Sequence, residues 1–280
     1  MTRAEPVERK TPEQLRAMRA AGLVVARVLD QLRRAGRPGV TTAELDRLAR
    51  DELAGAGATS SFLGYDGGYG LPPYPGVTCI SVNDEVVHGI PGERTLAEGD
   101  LVSVDFGACL AGWHGDAAVT FEVGDCAPER RELGEATRQA LWAGIAALRA
   151  GGRIGDIGHA VESRLRSEPR RYGIVTEFTG HGIGREMHMA PDVPNTGRRG
   201  RGAELAPGVT LAIEPMVTLG SGRVAVLDDD WTIVTRDGSA AAHWEHTVAL
   251  TEGGLWVLTA ADGGEAELTA RGVPFGPLAD

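Results

Sequence analysis

LAEGDLVSVD at residues 96–105 reappears as LAPGVTLAIE at residues 205–214. Leu96 matches Leu205, Gly99 matches Gly208, Val104 matches Ile213, and Asp105 matches Glu214. Upstream of each copy lies a second echo, His88-Gly89-Ile90 and His181-Gly182-Ile183. GGRIGDI (151–157) more faintly repeats PGVTTAEL (38–45). The same elements in the same order point to duplicated halves related by a pseudo-two-fold axis. Such halves place their equivalent acidic residues on either side of one cleft.

The surrounding segments fill out an α+β chain. Thr11, Pro12 and Gln14 form a capping-box pattern that opens a helix, continued at helical spacing by Leu15, Met18, Gly22, Val25, Leu29 and Leu32. Pro38-Gly39 ends that segment, and Thr42 opens a second helix with Leu45, Leu48, Ala49 and Leu53. A third long helix follows Pro128, and a shorter fourth begins near Asp156. Strand-like runs are VTCISV (77–82), DLVSVDFG (100–107), VTLAIEPM (209–216), WTIVT (231–235) and WEHTVAL (244–250). Helices and strands alternate in blocks, not strict βαβ units, which favours α+β over a doubly wound sheet. Residues 1–10 read as an N-terminal tail, 11–260 as a single domain, and 261–280 as a weakly ordered C-terminal tail.

Alternate strand residues share a face. In LVSVDFG, Val102, Val104 and Phe106 lie on one side, and Ser103, Asp105 and Gly107 on the other. In TLAIEPM, Glu214 shares its side with the small Ala212. Each acid thus has room beside it. Buried carboxylates in apolar strands are costly unless partnered. Taken singly, either acid could sit solvated or salt-bridged at a strand end. Two more acids occupy similar settings: Asp116 in WHGDAAVTF and Glu245 in HWEHTVAL. Four carboxylates cannot all ionise close together unless cations neutralise them, and two divalent ions supply the balancing charge.

FTGHGIGREMHMAPDVPN (178–195) carries Gly180, Gly182 and Gly184 beside His181 and His188. A phosphate-cradling loop would need a helix to start directly after the glycines, and REMHMAPDVPN, with two prolines, is a poor helix. The formal net charge of −11 argues against a nucleic-acid surface. Three scattered cysteines form no CxxC pair, which suits a reducing cytoplasm. The N-terminal residues show no signal peptide, and no run of about 20 apolar residues suggests a membrane span. A soluble cytoplasmic monomer is the expectation.

With these residues in place, the chain resembles the bacterial type I methionine aminopeptidases of the creatinase-like, pita-bread metallopeptidase family. The matching segments run from KTPEQLRAMRAAG (10–22) through PGVTTAEL, CISVN, HGIP, DFG, HGD, TGHGIG and PGVTLAIEPM to WTIVTRDGSAAAHWEHT (231–247), and on to about residue 258. The resemblance implies an antiparallel sheet covered by helices. It also implies two divalent metal ions (Co, Mn, Fe or Zn), bridged by Asp116 and Glu245. Asp105 would complete one ion's shell, and His181 with Glu214 the other's. The ions would bind the substrate's free α-amine and share a hydroxide that attacks the first peptide bond. His188 would stabilise the oxyanion, His88 would contact the scissile amide, and Glu214 would shuttle a proton. A methionine pocket of Phe62, Tyr65, Tyr74, Cys79, Met187 and Trp231 is implied too. So is removal of the initiator methionine from nascent chains at the ribosome when the second residue is small.

Some features depart from the family pattern. DGGYGLPP (66–73) is longer than usual, so Tyr69 competes with Tyr74 for the pocket. Ala117 and Ala118 follow Asp116 where a hydroxyl residue is common, Met189-Ala190 replaces an acidic residue after His188, and His243 stands where glutamine is typical. His114 and His246 read as structural, with His246 facing away from Glu245. Proline-directed relatives, the prolidases and aminopeptidase P, are the nearest rival enzymes, and they add a large N-terminal domain. Metal-free pita-bread binding proteins are the rival from another class, and they lack the five ligands that this chain keeps.

Overall fold

The first helix starts where the sequence says it should. The computed structural model of the protein describes residues 7–67 and 70–279. Helix α1 (Pro12–Ala35) is opened by a complete Thr11–Gln14 capping box, and its apolar stripe from Leu15 to Leu32 is buried. Helix α2 (Thr42–Ala56) begins at Thr42, as expected, and has a second capping box, from Thr41 to Glu44. Gly57 ends α2 in the left-handed conformation.

Five strands follow: β1 (Thr59–Ser60), β2 (Cys79–Val82), β3 (Glu85–Val87), β4 (Leu101–Leu110) and β5 (Trp113–Glu122). Two more helices come next, α3 (Pro128–Ala147) and α4 (Ile154–Arg166). Then come β6 (Gly173–Ile174), β7 (Gly180–Gly182), β8 (Met189–Val193), β9 (Thr210–Ile213) and β10 (Met216–Thr218). The chain continues through β11 (Val224–Val226), β12 (Ile233–Thr235), β13 (Ala241–His243), β14 (Glu245–Leu250) and β15 (Leu255–Val257) to α5 (Glu265–Ala270).

The main sheet is antiparallel, ordered β1-β4-β5-β14-β9-β7-β8, with β2 also paired to β4 and β15 to β14. Helices α1 and α2 cover β2, β4 and β5, packing Val25, Val28, Leu29, Leu45 and Leu53 against Val102, Val104 and Phe106. Helices α3 and α4 cover the other half, packing Leu141, Ile145 and Ile157 against Leu211, Ile213 and Val248. Each large apolar side chain so buried contributes roughly 1.5–3 kcal/mol. One face of the sheet is therefore fully committed to helices, as the alternation in LVSVDFG and TLAI required.

The two halves match in detail. An isolated bridge joins Thr41 to Thr95 before α2, and an equivalent one joins Arg153 to Glu204 before α4. Gly99 and Gly208 both adopt positive φ, at 87° and 95°. Their N–H groups donate to Val123 and Leu250 at 2.8 and 2.7 Å. The repeated glycine thus makes the same left-handed turn into β4 and β9, a conformation that side chains disfavour.

Three departures from the sequence reading have physical causes. The run VTLAIEPM is not one strand: it breaks at Glu214-Pro215 into β9 and β10, which belong to different sheets. Proline has no N–H to give to a ladder, so the main sheet ends there. Strand β5 escaped notice because glycine, aspartate and alanine in HGDAA carry little strand propensity. The C-terminal segment is not weakly ordered. Leu268 of α5 is fully buried, and the Gly276 N–H donates to Leu255 O at 2.9 Å beside a Leu255–Phe275 bridge. Its apolar residues are too widely spaced among glycines to show a period, yet Leu268, Val273, Phe275 and Leu278 pack in or against the core. Within the expected N-terminal tail, Lys10 is buried and its N–H donates to Gly208 O at 2.7 Å. Residues 1–6 lie outside the described residues.

Candidate metal centre

Sheet register explains how the acids meet. Cys79 on β2 pairs with Asp105 on β4, Asp105 with Ala118 on β5, and Ala118 with Glu245 on β14. Directly paired residues share a face, so these four form one row across the sheet, opposite the helices. Asp116, two residues before Ala118, joins the same face, as does His181 on β7 through its pairing with Ala212 on β9. Gly107, Ala118 and Ala212 supply the small positions between the charged ones. Glu214 follows Ala212 at the strand break, where its carbonyl accepts a hydrogen bond from Asn195 Nδ2 at 3.0 Å.

Ligand atoms of Asp116, His181 and Glu245 lie within 4.8 Å of one another, and all three residues are buried. His181 Nε2 stands 3.6 Å from Glu214 Oε1 and 3.9 Å from Asp116 Oδ2. His181 Nδ1 faces Gly182 O at 2.9 Å. A proton on Nδ1 satisfies that carbonyl and leaves the Nε2 lone pair directed at the carboxylates. Among the described residues, no lysine or arginine pairs with these acids; their ion-pair contacts are all with histidines.

Without a cation this cluster is electrostatically unfavourable. Burial pushes Asp116 up to about 7. Burial, followed by repulsion from Asp116, holds Asp105, Glu214 and Glu245 well above the usual carboxylate range. Burial also holds His181 and His243 down at about 3, and His88 and His188 at about 4. The imidazoles are neutral at physiological pH, with lone pairs available to a metal or to hydrogen bonds. Asp105 Oδ1, Asp116 Oδ1 and Glu245 Oε1 are buried without a hydrogen-bond partner. Oxygen donors of this kind beside an imidazole fit divalent first-row metals, so the residues suit the ions that the resemblance implies.

An apolar pocket adjoins the acids. Phe62, Tyr74, Cys79, Met187 and Trp231 form one buried cluster, with Tyr65, Leu71 and Ile90 packed against it. All six of the residues expected to line a pocket are thus brought together. The Tyr74 hydroxyl serves Thr78 O and Gly89 O, both at 3.0 Å, and Trp231 Nε1 donates to Pro72 O at 2.8 Å. The rival Tyr69 lies outside the described residues. His188 stands between pocket and acids: Tyr65 Oη is 2.7 Å from its Nδ1, and its ring centroid is 4.3 Å from that of His181. His88 closes the far side, edge-on to Phe178 and Trp231, with a φ of 60°. A non-glycine residue in that region is strained by about 1–3 kcal/mol, a cost found most often at functional sites.

The remaining expectations sort cleanly. His114 Nδ1 faces Ser61 Oγ at 2.8 Å, and His246 Nδ1 faces Thr259 Oγ1 at 2.9 Å, so both are tied into the framework. Ala117 points into the helix-covered core, and only Ala118 faces the acids. The glycines around His181 do not cradle a ligand. A Cβ on Gly180 would lie 2.3 Å from Ala212 O, and one on Gly182 equally close to Ala190 O. They allow β7 to fit between β9 and β8. Sequence reasoning missed Thr247, whose Oγ1 accepts from the Asp116 N–H at 3.1 Å and donates to its carbonyl at 2.8 Å. Its two-residue spacing from Glu245 was the available signal.

Comparison with known proteins agrees with this geometry. The sequence profile described as metallopeptidase family M24 matches residues 16–252. Methionine aminopeptidase 1 of Mycobacterium tuberculosis is 52% identical over 258 residues, spanning 90% of this chain and 95% of the relative. Methionine aminopeptidase 1 of Bacillus subtilis is 43% identical over 250 residues, spanning 89% and 98%. The crystal structure of methionine aminopeptidase from Thermotoga maritima superimposes with a TM-score of 0.86 at 41% identity, covering 91% of this chain and 99% of that one. Prolidase from Pyrococcus furiosus, at 21% identity and a TM-score of 0.69, shares the fold over 65% of its length. The chain belongs to metallopeptidase family M24, and within it to the methionine aminopeptidases.

Proposed function

We propose that this protein removes the initiator methionine from nascent polypeptides whose second residue is small, using two divalent metal ions. The observation that carries the reading is the row Asp105–Ala118–Glu245, completed by Asp116, His181 and Glu214, beside a pocket of aromatic and sulfur-bearing side chains. Asp105, Asp116, His181, Glu214 and Glu245 would hold the ions. Co, Mn, Fe and Zn all suit these donors. When bound, such a pair of ions supplies Lewis acidity that activates water and polarises the scissile carbonyl.

The protein's own groups do the rest. Phe62, Tyr65, Tyr74, Cys79, Met187 and Trp231 enclose the methionine side chain and exclude water. With His188 in its Nε2–H tautomer, Nδ1 accepts from the Tyr65 hydroxyl and Nε2–H donates to the carbonyl oxygen as negative charge develops. His88 contacts the scissile amide from the opposite wall. Glu214 moves a proton from the attacking water to the departing amine. The substrates are nascent chains emerging from the ribosome in the cytoplasm, met by a monomeric enzyme. No helix among the described residues is long and apolar enough to cross a membrane.

The test is peptide hydrolysis by full-length protein reconstituted with Mn or Co. Met-Ala-Ser releases methionine, whereas Xaa-Pro and N-acetylated peptides survive. Equal cleavage of the acetylated peptide would refute recognition of a free N-terminus.

A further inference from the structure

His243 is the last residue of β13, where it pairs with Met216, two residues past Glu214. Its backbone is held on both sides: the N–H meets Ser103 Oγ and Thr120 Oγ1, each at 3.1 Å, and the carbonyl accepts from Thr120 Oγ1 at 2.7 Å. The imidazole is aimed at the carboxylates, with Nε2 3.8 Å from Glu214 Oε2 and 3.9 Å from Glu245 Oε2. Only 2% of the residue is exposed, and Nε2 has no hydrogen-bond partner. Neither carboxylate can serve where it stands, because an N–H···O bond spans about 2.7–3.2 Å.

Each distance is one that two ligands of a single ion can span. Two ligand atoms each about 2.1 Å from one metal lie roughly 3.0 Å apart at right angles and 4.2 Å apart when opposed. His181 meets its carboxylates at 3.6 and 3.9 Å, inside that range. His243 repeats the relation on the other oxygen of Glu214. Glu214 is therefore bracketed by two imidazoles, one at each oxygen. Among the described residues six buried polar side-chain atoms lack a partner. Four of them belong to this cluster: Asp105 Oδ1, Asp116 Oδ1, Glu245 Oε1 and His243 Nε2. The histidine nitrogen shares the condition of the carboxylate oxygens around it.

We propose that His243 is a direct ligand of the metal centre, bringing a second imidazole nitrogen to the ion held by Glu214 and Glu245. The inference rests on the metal-dependent reading above. A second imidazole shifts the donor set toward Zn, Co and Fe and away from Mn, since imidazole suits the former and oxygen donors the latter.

The test is proton NMR of the full-length Co(II)-loaded protein in water, paired with Co(II) and Mn(II) titrations. Two exchangeable imidazole N–H signals, strongly shifted by the paramagnetic ion, are expected: one from His181 and one from His243. His243→Gln keeps a polar side chain of similar reach. It should lose one signal and lower Co(II) affinity relative to Mn(II) by about tenfold or more. If that variant does not fold, the signal count in the unmodified protein decides alone. A single shifted N–H that survives in His243→Gln, with unchanged Co-to-Mn preference, overturns the proposal and leaves His243 a hydrogen-bonding neighbour. Failure to bind either ion overturns the metal-dependent reading and this inference together.

Discussion

Removing cations from the centre leaves four carboxylates facing one another, Asp116 and Glu245 buried and Asp105 and Glu214 half-buried, and the penalty depends on pH in a calculable way. Asp116 titrates at about 7 in the fold against an ordinary 3.8, and Asp105, Glu214 and Glu245 are raised as well. A raised carboxylate keeps its proton in the folded state while the unfolded chain has lost it. Its stability contribution is therefore present at low pH and disappears as pH rises toward the folded value. The buried histidines act oppositely, since their folded pKa values lie at about 3 to 4, but above about pH 5 they are neutral in metal-free and metal-loaded protein alike and drop out of the difference. Between about pH 5 and 7, where Asp116 keeps its proton in the metal-free fold, the carboxylates dominate the difference between metal-free and metal-loaded protein. Each retained proton costs about 1.4 kcal/mol per pH unit. At roughly 2–4 °C per kcal/mol for a chain of this size, one such proton widens the gap in melting temperature by roughly 3–6 °C per pH unit. Thermal melts of chelator-treated and Mn-saturated protein at half-unit steps measure it. A gap that stays constant or narrows as pH rises from about 5 to 7 would show that the metal-free fold does not hold a proton on the buried acids.

Three further outcomes test other parts of the site. Asp105→Asn should lower metal stoichiometry measured by calorimetry and abolish peptide hydrolysis; full stoichiometry at the original rate would remove Asp105 from the centre. Tyr65→Phe deletes the 2.7 Å contact with His188. At about 0.5–1.5 kcal/mol for one hydrogen bond, kcat/KM should fall roughly 2- to 10-fold with metal binding unchanged. Leu268→Ala truncates a fully buried side chain of α5 and should cost about 2–5 kcal/mol in urea unfolding, whereas a loss below about 0.5 kcal/mol would mean that the C-terminal segment is not part of the core.

Much of this protein was legible in one dimension because the signals were local. The Thr11–Gln14 cap, the period-2 alternation around Asp105 and the repeated left-handed glycines at 99 and 208 each depend on neighbours a few residues away. The alternation alone dictated that Asp105 would face away from the helices, because one side of its strand had to be buried. The duplicated segments dictated that Glu214 would occupy the equivalent place in the second half.

Tertiary structure decided what lies beside what. Nothing in the sequence states that Ala118 sits between Asp105 and Glu245, since the pairing of β5 with β14 joins segments more than a hundred residues apart. The break at Pro215 turned one expected strand into two in different sheets and left Glu214 at the junction. The matching interruption at Trp244 separates His243 from Glu245, and the folding of both breaks toward one point brought His243 within reach of both glutamates. Local chemistry selects the face on which a side chain appears. Long-range packing selects its neighbours, and a metal centre is a property of neighbours.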